Sequence, residues 1–128
     1  MKIGFANGCF DIFHDGHKHF LTKARACCQH LIVAVNDDAS IKRLKGQERP
    51  KWPLLCRMQH VKNYADAVIP FDGNPLPLIQ AIRPYVLIRG EDQTVLPDEW
   101  GSKTGLVVIR RLDGVSTTAL IERELYET

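Results

Sequence analysis

No stretch of this 128-residue chain approaches the roughly 18 consecutive apolar residues that cross a bilayer, which argues against a membrane-spanning helix. The opening residues Met1-Lys2-Ile3-Gly4-Phe5 run straight into a strand pattern and lack the shape of a secretory signal, so the cytoplasm is the expected compartment. Excess charge of either sign is also lacking. A formal net charge of +2 is too small to argue for a nucleic-acid partner, although clustered cations would still help to recruit a phosphorylated substrate. Cysteine is limited to Cys9, Cys27, Cys28 and Cys56, which have no metal-ligand spacing, and adjacent cysteines rarely bridge one another. Reduced, mostly buried thiols are expected. There is no internal repeat, low-complexity tract or sign of a second domain. Residues 1–128 read as one domain, large enough to bury a core.

What is present alternates between two periods. Ile3-Gly4-Phe5-Ala6 is an apolar run of strand length, and Phe20, Leu21, Ala24 and Cys28 follow at helical spacing. Leu31-Ile32-Val33-Ala34-Val35 reads as a strand buried on both faces, and Asn36-Asp37-Asp38 can cap a short helix over 39–44. After an irregular basic stretch, Leu54, Leu55, Met58 and Val61 mark another helix. Strands are expected at 67–71, 85–89 and 106–109, helices at 76–82 and about 118–127, and a turn at Asp72-Gly73-Asn74-Pro75. Such alternation implies an α/β fold: a doubly wound, five-stranded parallel sheet with helices on both faces. Ligands then bind beyond the carboxyl ends of the strands, where strand order reverses.

The polar clusters all follow strand ends. Asn7-Gly8-Cys9-Phe10-Asp11-Ile12-Phe13-His14-Asp15-Gly16-His17 carries two histidines three apart at a helix start, with Asp15 as the expected cap and Gly16 allowing close approach to the backbone. An H-x-x-H spacing alone is more often a pair of surface histidines. A helix start nevertheless presents free N–H groups and a positive dipole end, which suit a phosphate. Ser116-Thr117-Thr118 before Ala119-Leu120-Ile121 reads as an ordinary helix cap, yet hydroxyls and amides there also suit phosphate oxygens. Lys42-Arg43-Leu44-Lys45-Gly46 with Arg49 could be a solvated face. Gly90-Glu91-Asp92 could be a turn, and Trp52 and Trp100 fit either a pocket wall or packing.

Taken together, Gly8-x-Phe10-Asp11, His14-x-Gly16-His17 and Arg111-x-x-Gly114-x-Ser116-Thr117-Thr118 resemble the motifs of the cytidylyltransferase-like nucleotidyltransferases. Within them the chain is similar over nearly its whole length to the adenylyltransferase modules that act on heptose 1-phosphate, with glycerol-3-phosphate cytidylyltransferases as the alternative. The resemblance implies a Rossmann-like fold and attack by an acceptor phosphate oxygen on the α-phosphorus of ATP or CTP, with magnesium as the ion and no covalent enzyme intermediate. It implies that His14 and His17 hold the triphosphate, and that Gly8, Cys9, Phe10, Asp11 and Gly16 shape the nucleotide site. It assigns Gly90 and Asp92 to base and ribose, Arg111 to the triphosphate, and Ser116, Thr117 and Thr118 to its outer phosphates. Lys45 would touch both substrates, Arg57 would bind the acceptor phosphate, and Arg110 reads as a solvated neighbour. The metal ligands stay unassigned, as does the protonation state of the two histidines. The implied partners are a nucleoside triphosphate and a sugar or polyol phosphate, with no nucleic acid or membrane, in a homodimer. A nucleotide-binding module without turnover is the competing reading. Its motive is Arg89-Gly90-Glu91-Asp92-Gln93, where the heptose modules usually have Lys-Gly-Gly-Asp-Tyr.

Overall fold

The computed structural model describes residues 1–93 and 104–111. The chain runs β1 (Ile3–Gly8), α1 (Asp15–Ala26), β2 (His30–Asn36), α2 (Asp38–Lys45), α3 (Leu54–Lys62), β3 (Ala67–Phe71), α4 (Leu76–Ile82), β4 (Val86–Gly90) and β5 (Gly105–Ile109). All paired strands are parallel, in the spatial order β3-β2-β1-β4-β5. The expected doubly wound, Rossmann-like sheet is therefore present. The helix expected near 118–127, its cap at Ser116, Thr117 and Thr118, and Trp100 lie outside the described residues.

The strands run past their apolar cores. Gly8 pairs with Val35, Asn36 with Phe71 and Gly90 with Ile109, because ladder hydrogen bonds need backbone groups and not apolar side chains. These polar strand ends become the rim of the site. Further back, successive side chains alternate between two cores. Ala6, Leu31, Val33, Val35, Val86 and Ile88 pack with Leu21 and Ala24 of α1 and Val61 of α3. Phe5, Ala34 and Leu87 face the other side, against Ile79 of α4 and Phe71. Among the described residues no helix is long and apolar enough to cross a membrane.

The four cysteines are free thiols, as expected, but each is only partly buried. Cys28 explains one glycine. A Cβ at Gly4 would stand 2.6 Å from Cys28 Sγ and 2.9 Å from Cys28 Cβ, so the turn after α1 packs on β1 only because that side chain is missing. Gly4→Val should therefore lower unfolding free energy by about 1–3 kcal/mol, the usual cost of overpacking. Urea titration measures it, and an unchanged midpoint would contradict this packing.

Because β1 leads to β2 on one side and β4 lies on its other side, the strand order reverses between β1 and β4. A crevice at the carboxyl ends of these two strands is the natural ligand site.

Candidate active site

A cavity of about 390 Å³ opens there. Gly8, Cys9, Phe10 and Asp11 enter it from the end of β1 and the loop beyond, and His14, Gly16 and His17 from the start of α1. Lys45 closes it from the end of α2, Gly90 and Asp92 from β4, and Arg111 from the residues after β5. Of the described residues that the resemblance assigns to the site, only Arg57 is missing from the lining.

The two imidazoles are organised by the backbone. His14, and not Asp15 as expected, is the N-cap of α1: its Nδ1 accepts from Gly16 N at 2.9 Å. His17 completes a capping box, its Nδ1 accepting from His14 N at 3.3 Å. An Nδ1 that accepts carries no proton, so in both neutral rings the proton sits on Nε2. The rings stack with centroids 3.9 Å apart, and His17 also lies against Phe10 at 5.5 Å and Phe13 at 5.3 Å. Burial, reinforced by His14 and Lys45, pushes the pKa of His17 down to about 3. Burial also lowers that of His14, against the pull of Asp15. Both are neutral N–H donors at physiological pH.

Asp11 lines the cavity but is committed elsewhere. Its carboxylate accepts from Lys51 N at 2.8 Å, Trp52 N at 2.9 Å and Ile12 N at 3.1 Å, and pairs with Arg49 Nε at 2.8 Å. Burial alone would raise its pKa, but the Lys51 and Trp52 N–H bonds and Arg49 outweigh that and hold it below the ordinary carboxylate range. The expectation that Asp11 binds nucleotide is corrected accordingly: it fixes the 49–52 segment to the loop after β1. Phe10 and Ile12 on either side have φ near 53°, a left-handed conformation costing about 1–3 kcal/mol per residue, which the Asp11 network sustains.

Arg57 is corrected too. It is fully buried. Its Nε donates to Trp52 O at 2.9 Å, Nη1 to Cys9 O at 2.9 Å and Asn36 O at 2.6 Å, and Nη2 to Asp38 Oδ1 at 2.6 Å. Such a guanidinium clamps the ends of β1 and β2 to the entries of α2 and α3 and does not face an acceptor phosphate. Cys9 is held as a thiol, since burial raises its pKa against the cations Lys45, Arg57 and Arg49. Trp52 packs on His60 at 4.8 Å and does not line the cavity.

Sequence reasoning missed the floor of the crevice. Arg89, buried, donates to Asn7 Oδ1 at 2.6 Å, while Gln93 donates to Asn7 O and accepts from Gly90 N, each at 2.9 Å. Asn7 and Gln93 line the cavity and tie β1 to β4 across the switch point. The available signal was position alone: a polar residue ending a buried strand. Arg110, read as solvated, also reaches the lining, and Arg111 lies 3.6 Å from Glu91 Oε1 and 3.9 Å from Asp92 Oδ2.

Residues 5–123 match the cytidylyltransferase-like family model. The chain belongs to the cytidylyltransferase-like family. It is 47% identical over 131 aligned positions to the bifunctional protein HldE of Gluconacetobacter diazotrophicus, covering 96% of this chain and 27% of that protein. With HldE of Acidiphilium cryptum the identity is 43%, over 95% of this chain and 27% of that one. The chain thus spans about a quarter of the length of these curated relatives. A solved lipopolysaccharide core biosynthesis protein from Thermoplasma volcanium superposes with a TM-score of 0.70 at 26% identity, covering 88% of this chain and 97% of that one. A pantoate–β-alanine ligase from Francisella tularensis shares the fold, with a TM-score of 0.61 at 16% identity over 98% of this chain and 70% of its own.

For a cytidylyltransferase-like chain the arrangement offers neutral imidazole donors, Lys45 and Arg111 around one cavity, with no thiolate among the described lining residues. It suits stabilisation of phosphoryl charge without covalent catalysis. Two outcomes test the electrostatics and the clamp. The folded state keeps His17 neutral down to about pH 3, whereas the unfolded chain takes up that proton near pH 6.5. Stability therefore falls as pH drops below about 6.5, by about 1–2 kcal/mol between pH 7 and pH 5 in urea titrations, and His17→Asn should flatten that slope. Arg57→Met should cost about 1–3 kcal/mol, because it strands the backbone carbonyls of Cys9, Asn36 and Trp52 and leaves the half-exposed Asp38 without its guanidinium. Normal stability with weakened acceptor binding would instead return Arg57 to the acceptor phosphate.

Proposed function

We propose that the chain is a nucleotidyltransferase that moves AMP from ATP to a sugar phosphate such as heptose 1-phosphate. An acceptor phosphate oxygen attacks the α-phosphorus, the bond to the β-phosphate oxygen breaks, and pyrophosphate leaves. The observation that carries this reading is the pair of Nε2–H donors at the start of α1, set in a cavity at the sheet's switch point. Negative charge builds on the α-phosphate oxygens and the departing pyrophosphate, and prepositioned donors favour that state over the ground state. His14 and His17 donate to these oxygens, Lys45 bridges donor and acceptor phosphates, and Arg111 leaves its two loose carboxylate partners for the triphosphate. Gly90 and Asp92 face base and ribose. Ser116, Thr117 and Thr118, beyond the described residues, are assigned to the outer phosphates.

Magnesium fits this donor set in a particular way. Among the described residues no group of three or more His, Cys, Asp or Glu could hold a metal. The ion would enter on the triphosphate, which would supply most of its oxygens, and of the two described lining carboxylates Asp92, held only loosely by Arg111, would be the one to help hold it. Bound there, it would neutralise phosphate charge.

Similarity to the HldE proteins and to a lipopolysaccharide core biosynthesis protein supports a sugar-phosphate acceptor. Incubation with ATP, magnesium and heptose 1-phosphate should release pyrophosphate and give a product of ADP-sugar mass. Turnover only with CTP and glycerol 3-phosphate would move the chain to the cytidylyltransferase branch. Nucleotide binding without product from any acceptor would leave a silent module. His17→Ala should lower kcat about a hundredfold, as loss of comparable transition-state donors does. A variant within threefold of the parent would refute the role given to His17.

A further inference from the structure

A second cavity, of about 340 Å³, lies beside the first and is lined by Ser40, Arg43, Leu44, Asp72, Gly73 and Asn74. Leu44 and Gly73 line both cavities, so the two share a wall. The last turn of α2 runs along that boundary: Lys45 belongs to the first cavity, Leu44 to both and Arg43 to the second alone. Gly73, with φ of 101°, forms the opposite side. A Cβ there would come within 3.2 Å of Ser40 Cβ, so its missing side chain keeps the boundary thin.

The polar groups of the second cavity are held but not exhausted. Arg43 Nη2 donates to Asp72 O at 2.8 Å. Asp72 Oδ1 accepts from Asn74 N at 3.0 Å, and Asn74 Oδ1 from Leu76 N at 3.2 Å. These bonds fix three side chains and leave one oxygen of Asp72, the amide N–H groups of Asn74 and further N–H groups of Arg43 turned to no partner among the described residues. Leu44, 67% exposed, adds an apolar surface. Acceptors and donors side by side match hydroxyls, which both donate and accept. A second phosphate is disfavoured by the Asp72 carboxylate, and an apolar ligand would strand all three polar groups.

We propose that this second cavity is the specificity subsite for the acceptor's hydroxyl-bearing carbon chain, recognised by Arg43, Asp72 and Asn74. The inference rests on the reading of the first cavity as a nucleotidyl-transfer site. A sugar 1-phosphate whose phosphate sits at Lys45, ready to attack, directs its ring past Leu44 into the second cavity. The residue that selects the acceptor then differs from those that carry out transfer.

Binding and turnover separate the two ideas. In the full chain with a non-hydrolysable ATP analogue, mannose 1-phosphate should shift the backbone amide resonances of Asp72 and Asn74, which line the second cavity alone, whereas inorganic phosphate should not. Absence of those shifts overturns the subsite whatever the turnover assay shows. Shifts without pyrophosphate release would instead overturn the transfer reaction and keep the subsite. In turnover, Arg43→Met should raise KM for heptose 1-phosphate about tenfold, the worth of one charged hydrogen bond, with KM for ATP within twofold of the parent. Arg43→Lys should recover part of the loss. An unchanged acceptor KM, or equal rises in both KM values, would overturn the assignment.

Discussion

Asp11 accepts three backbone N–H bonds and one guanidinium inside the protein, and the site's shape depends on that carboxylate. A buried anion is costly unless each lone pair is met, so the segments that meet it cannot drift without exposing an uncompensated charge. The loop after β1 is thereby held in a left-handed conformation at Phe10 and Ile12 that its own residues disfavour. Arg57 complements this from the other side, joining Cys9, Asn36, Asp38 and Trp52 through one fully buried guanidinium. With the loop fixed, α1 starts at a defined place, and its two imidazoles stack where the crevice opens.

The same packing decides the chemistry of those imidazoles. Phe10 and Phe13 flank His17, and a ring so desolvated cannot keep a second proton. Since backbone N–H groups occupy both Nδ1 atoms, each ring presents a donor of fixed tautomer. Positive charge comes instead from Lys45 and Arg111, which stay at the rim. Neutral donors deep and cations at the edge form a graded field across the cavity, in which no buried cation need leave its partner.

α2 has two duties. Its N-terminal end is clamped by Arg57 through Asp38, while its last turn divides two cavities of similar volume. A short helix anchored at one end can therefore place Arg43, Leu44 and Lys45 on the boundary between the two cavities at the other.

Much of the architecture was legible because its causes are local. Strand runs of period 2, helical spacing of Phe20, Leu21 and Ala24, and short polar breaks predict parallel strands alternating with helices, and with them a crevice near His14 and His17. Several strands end a residue or two beyond their apolar runs, since ladder bonds at Gly8, Asn36 and Gly90 leave no mark on hydropathy. What the chain's order alone could not decide was which charged side chains turn inward. Asp11 meets Arg49 across 38 residues, and Arg57 meets Cys9 across 48. Read along the chain, each looked like a ligand group, because an arginine or aspartate beside a phosphate motif has the same identity whether it faces substrate or core. Only the tertiary structure settles that, since burial of a charge depends on partners that distant segments bring to it.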